Sequence, residues 1–296
     1  MRRRSFVKSS LLAASACGFK AAIAQGPQPP LRWVQVGDSS PTQSALSQAL
    51  VDGARLVFDE VNAKGGVHQK RLELEPVDGK GDPARTAQLL GELAQREDVF
   101  GVFMPFGTAE TLACAKALPG WPIFAPFTGA DPLRTMLPPN VMFVRQTWGA
   151  EIDRLLGVVK TIGLTRIGVV YAAQPQAQAQ AVLNLVNAQV KKHGLELVSS
   201  ASIPHTGSTE VKPAVAQLAA STAQVIIVGL AGPAPDFMIE ARLAGVAVPI
   251  YTVSNAVTPT LFSRLKGRAR GVGFSSAIPS PWDRSVDIVR QYQAGQ

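Results

Sequence analysis

Cysteine, aromatic residues and charge are all scarce in this sequence: two cysteines, 6% aromatic and 17% charged residues among 296. So few cysteines exclude a disulfide-built scaffold. An apolar fraction of 46% excludes an intrinsically disordered chain, and the length suits one large domain or two lobes. Past the N-terminus no apolar stretch approaches the ~18 residues of a membrane span. The usual catalytic signatures are missing too: there is no Gly-x-Ser-x-Gly elbow, no phosphate loop ending in Gly-Lys-Ser/Thr, and no Gly-x-Gly-x-x-Gly after the first apolar run. His68, His193 and His205 stand far apart with no carboxylate or cysteine at metal-ligand spacing, and all three are expected at the surface. Neither a metal nor a cofactor is expected.

What the chain does have begins with an excess of positive charge at its start. The formal net charge is +8, but residues 1–24 contain Arg2, Arg3, Arg4, Lys8 and Lys20 and no acid, leaving 24 basic against 21 acidic residues beyond them. That remainder is scattered, with no basic helix or aromatic platform for nucleic acid. A basic segment to Lys8, an apolar segment from Leu11 to Ile23, and Ala22-Ile23-Ala24 before Gln25 read as a secretory signal peptide over 1–24. Arg3-Arg4-Ser5-Phe6-Val7-Lys8 looks like a twin-arginine export motif, and the general secretory route is the alternative. Cys17 reads as part of the leader, and Cys114 as a small buried hydrophobe on a helix.

Strand-like and helix-like segments then alternate. Leu31 to Val36 is β-rich, Leu46, Leu50, Val57 and Val61 recur at helical spacing, and Gly65-Gly66 stops that helix. Arg71 to Val77 alternates apolar and charged residues and includes Pro76, as in an edge strand. Asp82-Pro83 supplies an N-cap and a first-turn proline for the next helix. Further strands are expected at 99–104, 122–126, 141–145, 166–171, 195–203, 225–230, 249–253 and 271–277, and helices at 108–118, 150–162, 178–193, 210–220, 235–244 and 282–292. This beat predicts an α/β protein of doubly wound parallel sheets, and so many strands divide between two lobes.

Ligands of such sheets sit beyond the carboxyl ends of the strands. The loops there are Gly37-Asp38-Ser39-Ser40, Phe106-Gly107-Thr108, and Phe127-Thr128 through Asp131-Pro132. Thr108 is read as an N-cap, and Asp131-Pro132 as the opening of a short helix. Backbone N–H groups at a helix start, with a hydroxyl beside them, receive a carboxylate well, though threonine also caps helices with no ligand at all. Phe106, Phe127 and the strand-end Tyr171 can wall a pocket or simply pack. Asp78 and Asp82 serve turn formation and capping better than a calcium loop, which needs more oxygen ligands.

The run Asp59-Glu60-Val61-Asn62-Ala63-Lys64-Gly65-Gly66-Val67, with Leu72-Glu73-Leu74, Asp78, Asp82-Pro83, Gly107-Thr108, Thr128-Gly129-Ala130, Leu133-Arg134 and Gly271-Val272, resembles the leucine/isoleucine/valine-binding type of periplasmic binding protein of ABC transporters. The resemblance spans about residues 31 to 292. It implies two hinged lobes, the first over 31–145 with 276–296 and the second over 146–275, with crossings near Arg145 to Thr147 and Ser275 to Ile278. It also implies that the chain is C-terminally truncated, since family members continue further.

By that resemblance the chain is a monomeric, non-enzymatic periplasmic protein that delivers a small ligand to an ABC permease in the inner membrane. The ligand-binding residues are Ser39, Phe106, Gly107, Thr108, Phe127, Thr128, Tyr171, Leu230, Ala231 and Ser254. Ser254 stands where amino-acid-binding members often carry an acid for the ligand ammonium, so an organic or aromatic carboxylate is expected ahead of an amino acid, because an unpaired buried ammonium is costly. The competing readings are a ligand sensor for a membrane receptor and an enzyme on the same scaffold.

Overall fold

A computed structural model describes residues 28–295 apart from 41–42, 175 and 258. The leader reading, with Cys17 and the twin-arginine motif, lies outside the described residues.

The first lobe runs β1 (Leu31–Gly37), α1 (Ser44–Ala63), β2 (Leu72–Asp78), α2 (Pro83–Leu93), β3 (Val99–Phe103), α3 (Thr108–Ala117), β4 (Ile123–Phe124), α4 (Leu133–Met136) and β5 (Val141–Met142). The second runs α5 (Trp148–Thr161), β6 (Arg166–Gln174), α6 (Gln176–His193), β7 (Glu196–His205), α7 (Lys212–Ala219), β8 (Val225–Gly229), α8 (Ala234–Leu243), β9 (Ile250–Thr252), α9 (Pro259–Leu265) and β10 (Val272–Phe274). After them α10 (Asp287–Ala294) leads to Gly295, which lies against the Leu56 side chain of α1.

Each lobe holds a five-stranded sheet, ordered β2-β1-β3-β4-β5 and β10-β9-β8-β6-β7, and every strand pair is parallel. Both sheets have the same winding. The chain steps outward from the lobe's first strand, returns to that strand's other side, and then proceeds away from it.

Local chemistry sets these elements. Lys64 caps α1, and Gly65 and Gly66 follow at φ of 100° and 75°, a conformation that glycine adopts without cost. Asn62 then pins the start of β2, accepting the Leu72 N–H at 2.7 Å and donating to its carbonyl at 2.9 Å. β2 is an edge strand, which tolerates Pro76. Asp82 caps α2 by accepting the Ala84 N–H at 2.8 Å, with Pro83 as the first helical residue.

The second sheet is covered on both faces, and accordingly β8 reads Val225-Ile226-Ile227-Val228 with every side chain buried. Val225 and Ile227 pack with Leu156 and Val159 of α5. Ile226 and Val228 face Leu218, Phe237 and Met238 of α7 and α8. In the first lobe, Val34, Val36, Val102 and Ile123 form the corresponding core with Leu90 and Cys114, and Cys114 is fully buried as expected.

Several expected elements change. The strands expected over 122–126 and 141–145 shrink to two residues each: Ala125 makes a last ladder bond, its N–H to the Met142 carbonyl at 2.8 Å, and at φ 55° turns the chain out of extended backbone. The last helix starts at Asp287 rather than 282: Asp283 accepts the Ser285 N–H at 3.1 Å, a local turn that competes with helix. His193 is not a free surface residue, since its Nε2 meets Asp153 Oδ1 at 2.7 Å.

Candidate functional site

Each sheet has a switch point, between β1 and β3 in the first lobe and between β6 and β8 in the second, where the loops after adjacent strands part in opposite directions. Ser39 follows β1, and Phe106, Gly107 and Thr108 follow β3. Tyr171 lies in the last part of β6, opposite Gly229, and Leu230 and Ala231 follow β8. The same topology thus carries most of the expected residues in both lobes.

In the first lobe the loops after β3 and β4 are joined. Phe106 and Phe127 form an isolated parallel bridge, and their rings stack at 5.5 Å with 17° between planes. The Gly107 N–H donates to the Phe127 carbonyl at 3.3 Å. Met104 and Ala125, just before these loops, sit at φ of 48° and 55°, a region non-glycine residues seldom occupy and one that clusters at functional sites.

Thr108 and Thr128 meet hydroxyl to hydroxyl at 2.7 Å, and Thr128, only 2% exposed, also accepts the Ala130 N–H at 3.2 Å. One hydroxyl proton serves the bond between them, so the other remains to donate. Thr108 is not the N-cap: Gly107 holds that place at φ 105°, with no side-chain cap, and Thr108 is the first helical residue. This frees the Thr108 side chain to face its partner loop. Thr108 opens the first turn of α3, and within that turn Glu110 holds its own backbone N–H with its carboxylate.

The electrostatics of this corner come from Arg134 and Arg145, which the sequence reading did not place among the ligand-binding residues. Arg134 donates to the Arg145 carbonyl at 2.9 Å and the Thr128 carbonyl at 3.4 Å, and its guanidinium lies 3.6 Å from the Phe143 ring centroid. Burial, and then the neighbouring Arg145 charge, lower its pKa from the usual arginine value. The Arg145 guanidinium lies 5.0 Å from the centroid of Phe127. Two cations therefore flank the loop that carries Thr128, and Arg145 Nε is buried with no partner.

Arg145 also ties the lobes together. Its Nη2 donates to Ser254 Oγ at 2.6 Å and to Glu151 Oε1 at 3.0 Å, with side-chain exposures of 9% for the arginine and 3% for the glutamate. Glu151 further accepts the Ser254 hydroxyl at 2.9 Å, the Ser254 N–H at 2.7 Å and the Ser275 hydroxyl at 2.6 Å. Four donors on one carboxylate leave no acceptor site over. Ser254, expected among the ligand contacts, has its N–H and hydroxyl engaged in this cluster. Ser39 likewise donates its N–H to Asp78 Oδ1 at 3.0 Å. Asp131 does not open α4, whose cap position is Pro132, but accepts the Gly149 N–H at 3.0 Å and so holds the start of α5.

The second lobe holds a cavity of about 70 Å³ lined in part by Trp148, Ala172, Leu230, Ala231, Val253 and Asn255. Trp148 closes against the first lobe: its backbone N–H donates to the Gly129 carbonyl at 2.7 Å, and a methyl group on Gly129 would fall 2.4 Å from its indole Cδ1. Glu151 carried a readable signal, a charge on the apolar stripe of Ile152, Leu155, Leu156 and Val159. Arg134, Trp148 and Asn255 carried none, because their partners lie in other loops.

The arrangement offers a hydroxyl donor, a helix start, flanking cations and aromatic walls. Among the described residues no group of three His, Cys, Asp or Glu side chains can hold a metal, and no helix is long and apolar enough to cross a membrane.

Residues 34–295 match the family model described as periplasmic binding protein. Among solved structures, a substrate-binding periplasmic protein from Ralstonia solanacearum is 27% identical, with a TM-score of 0.78 over 90% of this chain and 75% of that one. The fold is shared with a branched-chain amino acid transporter substrate-binding protein from Streptococcus pneumoniae in complex with isoleucine, at 19% identity, a TM-score of 0.77, and 90% and 77% coverage. It is shared as well with an ABC transporter solute-binding protein from R. palustris in complex with benzoate, at 19% identity, a TM-score of 0.75, and 90% and 74% coverage. No curated protein sequence matches.

Proposed function

The chain belongs to the periplasmic binding protein family, and from that premise we propose that it is the solute-binding protein of an ABC transporter, taking a small carboxylate into the cleft between its lobes for delivery to an inner-membrane permease. The lobes are 31–145 with 276–296, and 146–275. Residues 1–24 export the chain to the periplasm, by the twin-arginine or the general secretory route, and it works as a monomer.

The observation that carries this reading is the Thr108–Thr128 pair at 2.7 Å, with a hydroxyl proton to spare, between the start of α3 and the guanidinium groups of Arg134 and Arg145. Isoleucine and benzoate, the ligands of two fold neighbours, have the carboxylate in common. Gly107, Thr108, Phe127 and Thr128 receive that group, Phe106 backs Phe127, and Ser39 borders the same corner. Tyr171, Leu230 and Ala231 face the rest of the molecule. Ser254 shapes the cleft through Arg145 and Glu151.

A ligand without an ammonium is favoured over an amino acid because the buried Glu151 carboxylate is fully occupied by its own donors. One observation favours the amino acid. Glu110 turns its carboxylate back over Gly107, within 2.7 Å of where a methyl there would be, and the groups that act on it there are its own N–H and the Asp38 carboxylate.

Titration calorimetry with benzoate and with leucine separates the two. Thr128→Ala is expected to weaken the bound carboxylate by about ten- to a hundredfold, the loss of one hydrogen bond to a charged group. Glu110→Gln is expected to tighten benzoate by removing a like charge. If leucine binds and Glu110→Gln weakens it, the amino acid is the ligand; if neither ligand binds at millimolar concentration, the carboxylate reading is refuted.

A further inference from the structure

The basic residues beyond the N-terminus are not all scattered as the sequence reading expects. From Ala241 to Trp282 there is no acidic residue, while Arg242, Arg264, Lys266, Arg268 and Arg270 all fall in that stretch. Two of the five are engaged within the lobe. Arg264 pairs with both carboxylate oxygens of Asp236, and Arg242 donates to the Val246 carbonyl at 2.5 Å, the Val248 carbonyl at 3.0 Å and the Arg270 carbonyl at 3.2 Å. The other three are exposed, and none has a side-chain hydrogen bond or ion pair among the described residues. Lys266 and Arg268 stand in the single 3₁₀ turn Lys266–Ala269 after α9, and Arg270 follows it.

The turn is held in place and stands clear of the cleft. Arg242 braces it through the Arg270 carbonyl, and Gly271, at φ 73°, leads the chain into β10. Because β8, β9 and β10 run parallel, Arg270 lies at the edge of the second sheet opposite the strand ends that Leu230 and Ala231 follow. On α9, four residues before Lys266, the exposed Phe262 meets Phe274 edge to face at 5.6 Å.

Three unpaired cations on one exposed turn, with no acid in the stretch left to neutralise them, complement a surface of phosphate groups. We propose that this turn docks the protein on an anionic phospholipid surface, with headgroup phosphates meeting Lys266, Arg268 and Arg270 while the ligand cleft stays free. A lipid surface is favoured over an acidic protein because flexible cations on one short turn need a density of phosphate rather than a shaped counterpart, and an exposed ring beside them suits the headgroup boundary. The proposal rests on the periplasmic placement given above and not on the ligand.

The test is sedimentation of the exported chain, residues 25–296, with vesicles of phosphatidylcholine alone and with about 30% phosphatidylglycerol, at about 50 mM salt. Binding is expected with the anionic vesicles only and is expected to vanish at about 0.5 M salt. At about fivefold for each basic residue near such a surface, the triple variant Lys266→Gln, Arg268→Gln, Arg270→Gln is expected to bind about a hundredfold more weakly. Its thermal midpoint should stay unchanged, since these side chains have no partners to lose. A second triple variant, Lys116→Gln, Lys191→Gln, Lys212→Gln, removes the same charge from exposed positions elsewhere, and is expected to change binding less than about threefold. An equal loss in both triple variants would assign the binding to net charge and overturn the proposal. So would equal binding to both kinds of vesicle, or none to the anionic ones. Stronger capture by immobilised polyglutamate than by the anionic vesicles would mark an acidic protein partner and overturn it as well. None of these outcomes bears on the carboxylate reading, which calorimetry with benzoate and leucine decides separately.

Discussion

The Arg145–Glu151 pair at the lobe junction gives the sharpest energetic expectation. With side-chain exposures of 9% and 3%, both charges are out of water, and removing one partner of such a pair costs about 3–5 kcal/mol because the other is left buried and uncompensated. The two deletions are not equivalent. Arg145→Met leaves a carboxylate that still accepts two serine hydroxyls and the Ser254 N–H, so it belongs at the low end, about 3 kcal/mol. Glu151→Leu strands those donors and leaves a guanidinium whose remaining side-chain partner is Ser254 Oγ, so it belongs near 5 kcal/mol, by the same rule roughly. At about 2–4 °C per kcal/mol for a protein of this size, the thermal midpoints drop by roughly 6–12 °C and 10–20 °C. Equilibrium urea unfolding followed by tryptophan fluorescence and circular dichroism, beside thermal scans, measures both. Losses below about 1 kcal/mol in both variants would mean that water reaches the pair, since exposed ion pairs are worth no more than that. A larger loss in Arg145→Met than in Glu151→Leu would refute the count of donors on Glu151.

Other consequences follow from single residues. Burial pushes the Cys114 thiol up to about 12, so the native protein should resist alkylation at pH 8 and react only when unfolded; labelling measured by mass spectrometry in the folded state would contradict its place in the core. Burial, reinforced by the Asp38 carboxylate, raises the Glu110 pKa above its ordinary 4.5. Its proton is thus held more tightly in the folded state than in the unfolded, and stability declines as pH rises from 4.5 through the raised folded value. Glu110→Gln should therefore raise the unfolding midpoint at pH 7 and lose that advantage below pH 4, and an equal effect at both would exclude titration as the cause. Gly129→Ala forces a methyl against the Trp148 indole, 2.4 Å from Cδ1, with an expected cost of about 1–3 kcal/mol and a shift in tryptophan emission; an unchanged midpoint would show that the indole moves freely.

Much of the architecture was legible because it depends on local chemistry. The glycine stop of α1, the Asp82 cap with Pro83, the Pro76 edge strand and the buried run of β8 each follow from a few neighbouring residues and were placed correctly. Where the reading slipped, a longer-range or side-chain effect intervened. Ala125 at φ 55° cut short a strand that composition favours, and the Asp283–Ser285 turn delayed α10. Thr108 reads as a cap from its position, but Gly107 can adopt φ 105° and takes that place, which releases the hydroxyl toward Thr128, twenty residues away.

The site divides the same way. The loops beyond the strand ends could be named from the alternation of strands and helices, since parallel winding itself puts them on one edge. The charges could not. Arg145, Glu151, Ser254 and Ser275 are linked by hydrogen bonds that span up to 124 positions, and nothing in their own neighbours marks them as partners. By itself the sequence determined the α/β layering, the edge and core strands and the two threonine loops, because each arises from period, propensity and capping within a short window. Only the tertiary structure decided which carboxylate is engaged, which hydroxyls meet and which buried polar atoms lack a partner, because those are properties of side chains brought together from distant parts of the chain.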